Sequence, residues 1–473
     1  VIVGEITHNT CLFIDNGSPK GVKTKAFTSI FEHQDQMELL LCAAYAALFV
    51  EVIRRAAFFR DREIPTGWLQ TAFLLKVLAG MVLGWIYYQH YRDRYTSDTI
   101  KFFDDSGILF DSLKEKPYDF FRMLTGIDGN APELRHYYEN MNAWLNRDVL
   151  FNDNKTIIRL NAFFRFFSCG QYYVHVVFIN FISFTGLYAL YSALSEALQG
   201  RRRLYFTLVF LMPSLLLWGS GLLKDGLMLF ALGMTMRFFI RILNGRTNFR
   251  NLFSLTCSLF LLLFSKFYVV MTVLPGLAAW VISRKMQGRS SVLVFTATYS
   301  VFLLAGFNVY RIFPEYDLSE LIYWKQHNFL QMSDLLNPAS RIPVPELEHG
   351  FGSILKNAPG AFLRSILHPA VTDRPENTLV VLAGIENLLL LGFLTLLLVR
   401  CLHRHPGPIG PAQLFSLFVT LIVLTLIGLI TPVLGAMVRY KIVVYPFLFF
   451  LWTWLLDARK TSKLLPFLSD RRG

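Results

Sequence analysis

The stretch AQLFSLFVTLIVLTLIGLITPVLGAMV, residues 412–438, carries no charged side chain and stops at Arg439-Tyr440-Lys441. A helix bonds its own backbone groups and rises about 1.5 Å per residue, so about 20 apolar residues cross the ~30 Å hydrocarbon core of a bilayer. The apolar residues are continuous rather than alternating, which excludes the strand pattern of a closed barrel. Ten comparable blocks occur, at 39–59, 67–90, 171–195, 204–218, 227–243, 252–264, 267–282, 290–308, 379–399 and 442–456. The expected fold class is therefore all-α, a polytopic transmembrane helical bundle of about 11 spans. The block 252–264 is too short to cross alone and reads as a broken or half-inserted helix.

Composition agrees. Apolar residues make up 54% of the 473 residues and charged ones 17%, with a mean hydropathy of +0.42. The net charge of +13 would point to nucleic acid in a soluble chain. Here the basic residues fall in short loops between apolar blocks, so they set topology and no nucleic-acid partner is expected. Loops 54–66, 196–203, 237–251, 283–289, 400–411 and the tail 457–473 alternate consistently as the cytoplasmic side. That puts the C-terminus in the cytoplasm and the two long loops, 91–155 and 309–378, on the other face. Five cysteines, at 11, 42, 169, 257 and 401, form no CxxC pair, and neither a disulfide framework nor a zinc site is expected. Residues 1–36 are polar and read as a leader outside the native protein, with Met37 as the true start of a domain running over 37–456.

The charges on the outer face carry the functional signal. Asp98, Asp104 and Asp105 lie in the first long loop, Lys224-Asp225 between two spans, Lys266 in a break between two short blocks, and Arg439 and Lys441 between the last two. Each has a plain reading. Asp98 would start a solvated loop helix capped by Ser97 or by itself, and Lys224 and Asp225 would pair within a glycine-framed turn. Lys266, Arg439 and Lys441 would be interface anchors. The sharper reading is that they converge: cations suit a lipid phosphate, and a carboxylate beside them suits deprotonation of a hydroxyl.

Weaker features accompany them. Glu386-Asn387 lies inside an apolar block, as a buried polar pair or as cavity residues. Asn154-Lys155-Thr156 matches a glycosylation sequon, and Lys155–Phe167 has the amphipathic, aromatic pattern of an interfacial helix. His349, His368 and Asp373 lack metal-ligand spacing, and neither a cofactor nor a metal is signalled, although a divalent metal stays open.

Asp98 with Phe102-Phe103, the run Pro213–Asp225, Lys266-Phe267-Tyr268 and the run Val438–Pro446 resemble the GT-C class of membrane glycosyltransferases and the related polysaccharide polymerases. One span more than usual precedes the acidic loop. The resemblance implies a sugar transferase of the bacterial inner membrane, working on its non-cytoplasmic side. It implies membrane lipid and a polyprenyl-phosphate-linked sugar donor as partners, and a glycan, lipid or protein as acceptor. Catalytic roles fall on Asp98 and Asp105, and substrate binding on Asp104, Lys224, Asp225, Lys266, Arg439 and Lys441. A polymerase or ligase of the same architecture, a lipid or solute transporter and a non-catalytic membrane subunit are the alternatives.

Overall fold

The computed structural model describes residues 23–90, 97–144, 153–198, 200–286, 290–336, 338, 340–403 and 409–456. The basic tail 457–473, residues 1–22 of the expected leader and loop residues such as Arg289 and Arg404 lie outside them. Among the described residues every regular element is a helix, and an isolated bridge joins Arg341 to Val433. In chain order these are α1 (Lys23–Arg55), α2 (Thr66–His90), α3 (Asp98–Glu115), α4 (Pro117–Thr125), α5 (Arg135–Glu139), α6 (Asp153–Ser168) and α7 (Tyr172–Ser195). There follow α8 (Arg202–Leu211), α9 (Pro213–Trp218), α10 (Lys224–Leu243), α11 (Phe249–Ser265), α12 (Phe267–Lys285) and α13 (Ser291–Gly306). The chain closes with α14 (Leu318–Leu336), α15 (Phe351–Leu367), α16 (Thr378–His403), α17 (Pro411–Ile430), α18 (Leu434–Lys441) and α19 (Tyr445–Leu455).

Among the described residues eight helices are long and apolar enough to cross a membrane: α1, α2, α7, α10, α12, α13, α16 and α17. The pair α18 and α19, bent by 60°, makes a ninth if taken as one span. The two remaining blocks are a 17-residue helix, α11, and the pair α8–α9, broken where Pro213 supplies no amide. The block 412–438 is not one helix. It ends at Ile430, Thr431-Pro432 interrupts it, and Arg439 and Lys441 sit in the last turn of α18 rather than in a loop.

Burial sorts the helices as a bilayer would. Of the apolar stretch of α7, 78% is buried inside the protein, against 11% for α1 and 17% for α13. On these outer helices Leu39, Leu40, Leu293 and Val301 are exposed. Such side chains need a hydrocarbon neighbour, because a continuous exposed apolar belt is not stable in water. The central helix α7 meets α10 through Gly186 and Gly233, where a Cβ on Gly233 would strike the Gly186 carbonyl. Small residues of this kind let two backbones approach closely.

The described parts of the two long loops are largely helical. At the end of the first and beyond it, α6 buries Ile157, Ile158 and Ala162 and leaves Phe163, Phe166 and Phe167 half exposed, the division expected of the 155–167 stretch. In the second, α15 packs lengthwise on α17, with Ala361 against Gly428 and Arg364 donating to the Gly428 carbonyl at 2.8 Å. Its end reaches Asn387, inside the apolar stretch of α16, which donates to the Ile366 carbonyl at 2.7 Å. The chain then returns past Gly384 to the start of α16. It therefore dips into the bundle and comes back out at the same end.

Candidate functional site

Three carboxylates of the site stand at helix starts. Asp98 opens α3, Asp153 opens α6 and Asp225 lies in the first turn of α10. The partial positive charge of a helix N-terminus favours an anion there. Lys224, the first residue of α10, is in the unfavourable place for a cation, and two acceptors compensate it. Its ammonium donates to Asp153 Oδ1 at 2.7 Å and to Asn154 Oδ1 at 2.8 Å, and it lies 5.7 Å from the Phe102 ring centre. Lys224 and Asp225 thus turn to different partners instead of pairing in their own turn.

Arg439 links the carboxylates. Its Nε donates to Asp225 Oδ2 at 2.6 Å and its Nη1 to Asp98 Oδ2 at 3.1 Å. It gives one donor to each carboxylate, not the two-donor grip that a single planar acceptor receives. Among the described residues its Nη2 has no acceptor. Lys266 is the extended residue between α11 and α12 and is only 7% exposed. Its ammonium lies 3.9 Å from Asp225 Oδ1 and 5.2 Å from the centre of the Tyr440 ring. Among the described residues no acceptor reaches it at hydrogen-bonding distance. The ammonium itself keeps some accessible surface, since it is not one of the enclosed polar atoms that lack a partner, and it is open there to a ligand oxygen.

Asp98 differs from Asp225 in exposure. The Asp225 side chain is buried, whereas 49% of the Asp98 side-chain surface is open. The surrounding protein works against the charge on Asp98 even so. Arg439 and then Lys224 outweigh that effect and hold its carboxyl below the usual carboxylate range. Ser97 precedes α3 at the cap position, but its hydroxyl meets that of Thr99 at 3.1 Å and makes no bond to a helix amide.

The remaining expected site residues lie apart from this cluster. Asp105 is buried on α3 and accepts the backbone amides of Asn142 and Ala143, both at 2.7 Å, so it fastens the 141–144 turn. Desolvation raises its pKa above the ordinary value despite those bonds. Asp104 sits on another face of α3, where its charge acts on Arg165. Lys441, two residues beyond Arg439 on α18, points elsewhere and donates to the His368 carbonyl at 2.5 Å and to Asn387 Oδ1 at 3.1 Å. It borders an apolar cavity of about 170 Å³ between α15, α16, α17 and α19, which Asn387 also lines. Glu386 turns the other way and accepts the Ser214 amide at the start of α9 at 2.8 Å.

Three further contributors carry a weak sequence signal. Asp153 and Asn154 begin the amphipathic stretch that becomes α6, and both serve Lys224. The Asn154 amide also donates to the Ala143 carbonyl at 2.9 Å, so in this fold the sequon asparagine is buried and bonded. Lys76, on α2, is buried and donates to the Gly219 carbonyl and, at 3.1 Å, to Ser220 Oγ. Ser183 and Asn180 of α7 bond the Gly219 and Ser220 carbonyls at 2.8 Å. Together they satisfy the broken backbone after α9 and hold the turn that presents Lys224 and Asp225.

Among the described residues no group of three or more His, Cys, Asp or Glu side chains is arranged to hold a metal ion. His349 pairs with Glu320 and His368 with Asp373, each at 2.7 Å. What the cluster offers chemically is cation donors with unused capacity beside one accessible carboxylate. No protein-family model matches the chain, and no match was found among curated proteins or solved structures.

Proposed function

We infer that the chain is a membrane glycosyltransferase that moves a sugar from a polyprenyl-phosphate-type donor to a glycan, lipid or protein acceptor. The observation that carries this reading is Lys266: the ammonium of a largely buried residue, with no acceptor among the described residues, beside Arg439 and Lys224 at the same end of the bundle as the half-open Asp98. A phosphate supplies the oxygens these donors lack. The sugar's anomeric carbon would then lie toward Asp98, which takes the proton of the attacking hydroxyl. The cations stabilise the charge that grows on the leaving phosphate.

The assay is transfer of labelled sugar from polyprenyl-phosphate hexoses to lipid or glycan acceptors by the purified full chain. Asp98→Asn is expected to lower the rate at least about 100-fold, the lower range of what a general base supplies. Its folding should be unchanged, since the side chain is half open. Full activity in that variant would remove Asp98 from the mechanism.

In this reading the cluster faces the non-cytoplasmic side of a bacterial inner membrane, and the C-terminus lies in the cytoplasm. Exposed Glu133 in the first long loop and exposed Lys285 at the end of α12 should then label oppositely. With the native cysteines replaced by serine, Glu133→Cys is expected to react with an impermeant maleimide on the outer face of spheroplasts, and Lys285→Cys only after lysis. The reverse pattern would turn the whole topology over.

A further inference from the structure

Contacts of 4 Å or less join Lys266 and Arg439 to Asp225 and Asp98, and separately join Lys224 to Asp153, while Lys224 acts on Asp98 and Asp225 from further off, so three cations stand among three carboxylates. Among the described residues these six charges balance. An arriving anion therefore has to displace one of the carboxylates or be bound against a closed account of charge.

Asp98 is the one that can leave. Asp225 is buried and held by Arg439 at 2.6 Å, with Lys266 beyond. Asp153 is held by Lys224 at 2.7 Å. Among the described residues Asp98 accepts a single bond, at 3.1 Å, and half of its side-chain surface is open. Resting on the function inferred above, we propose that Asp98 occupies the place of the donor's phosphate on Arg439, that the phosphate displaces it on binding, and that the fitting donor is a phosphodiester with one negative charge rather than a diphosphate.

With Asp98 swung out, three cations face two carboxylates and one positive charge is left uncovered. A sugar joined through one phosphate to a lipid carries one negative charge. A sugar joined through a diphosphate carries two. Arg439 Nη1, released by Asp98, and Nη2 then present two parallel donors to two phosphate oxygens, and Lys266 gains its missing acceptor.

Displacement also readies the base. While bonded to Arg439, Asp98 is held ionised but turned away from any acceptor. Once free it takes the proton as the acceptor oxygen bonds to the anomeric carbon and the bond from that carbon to the phosphate oxygen breaks. The electron pair of the broken bond stays on the lipid phosphate, whose charge rises from one to two. The proton rests on Asp98, and no oxidant or further reactant is required.

Binding of short probes to the full chain in neutral detergent tests this without knowledge of the sugar. Didecyl phosphate carries one charge, and decyl diphosphate carries more. Wild type is expected to prefer didecyl phosphate. Asp98→Asn should bind it roughly fivefold more tightly, the gain from removing a partly exposed competing ion pair, even though the same variant is the one expected to lose transfer. Asp98→Ser, which cannot bond Arg439 through a charge, should behave alike and guards against an effect particular to asparagine. Equal affinity in wild type and both variants would overturn displacement while leaving phosphate binding intact. Tighter binding of the diphosphate by wild type would overturn the charge match. Binding of neither probe by any of the three would overturn the function inferred above and this proposal with it.

Discussion

Arg439→Gln is expected to be the most damaging single change to a charged residue in this protein. Glutamine keeps part of the length but leaves Asp225 with a carboxylate that is almost fully buried, with Lys266 at 3.9 Å and, more weakly, Lys224 as counter-charges. Breaking a buried pair by removing one partner costs about 3–5 kcal/mol, because the survivor stays charged and dry. Its other contact, with half-open Asp98, adds only about 0.2–1 kcal/mol. The variant should lose tens of percent of its folded yield and melt well below wild type when heated in detergent and followed by size-exclusion chromatography. The double variant Asp225→Asn with Arg439→Gln removes both charges and should recover much of the loss. A double variant as unstable as the single one would mean that Arg439 holds the fold by packing rather than by pairing.

A comparable loss is expected from one carbon atom at Gly233. A Cβ there runs into the Gly186 carbonyl of α7, and a Cβ on Gly186 would meet the backbone of Phe230. Neither obstacle is a side chain that can swing away. Overpacking in a closed core typically costs about 1–3 kcal/mol, and a backbone-on-backbone clash belongs at or above the upper end. Gly233→Ala should therefore lower the melting temperature in detergent, and Gly233→Leu should prevent assembly of α7 on α10. Gly360, inside α15, is the control: nothing lies within 4 Å of its added Cβ. Replacing a helix-interior glycine by alanine gains roughly 0.5–1 kcal/mol, so Gly360→Ala should be neutral or stabilising. If Gly233→Ala is as harmless as Gly360→Ala, the close crossing of α7 and α10 is not what the bundle relies on.

Helices were the easiest feature to read from sequence, because a hydrocarbon core imposes a length and a composition that runs such as 172–195 display openly. Breaks were harder. Apolarity alone joins 412 to 438, yet Pro432 marks where the helix stops, and that displacement moves Arg439 from a connecting loop onto α18. The convergence of Asp98, Lys224, Asp225, Lys266 and Arg439 could be read because each charge stands at a junction on one side of the alternation. In sequence Lys441 joins them through its nearness to Arg439. Residues two apart on a helix face nearly opposite ways, and the structure sends the two to different neighbours. Asp105 shares a face with Asp98 but lies two turns, about 10.5 Å, further along α3, where a backbone turn claims it. Lys76 and Asp153 gave little signal of their own. One is a lone charge in an apolar run and the other one acidic residue among many, and only the fold shows whom they serve.

The dip made by α15 has a consequence for the order in which the protein is manufactured. Its tip exposes the His368 carbonyl, whose donor, Lys441, lies 73 residues further along the chain, and its long side rests on α17, which follows it in synthesis. When α15 leaves the ribosome neither neighbour exists. The segment must wait at the membrane surface, amphipathic and unaccompanied, until α17 to α19 have been threaded. This part of the molecule is thus completed backwards, its later helices forming the socket into which an earlier one is set.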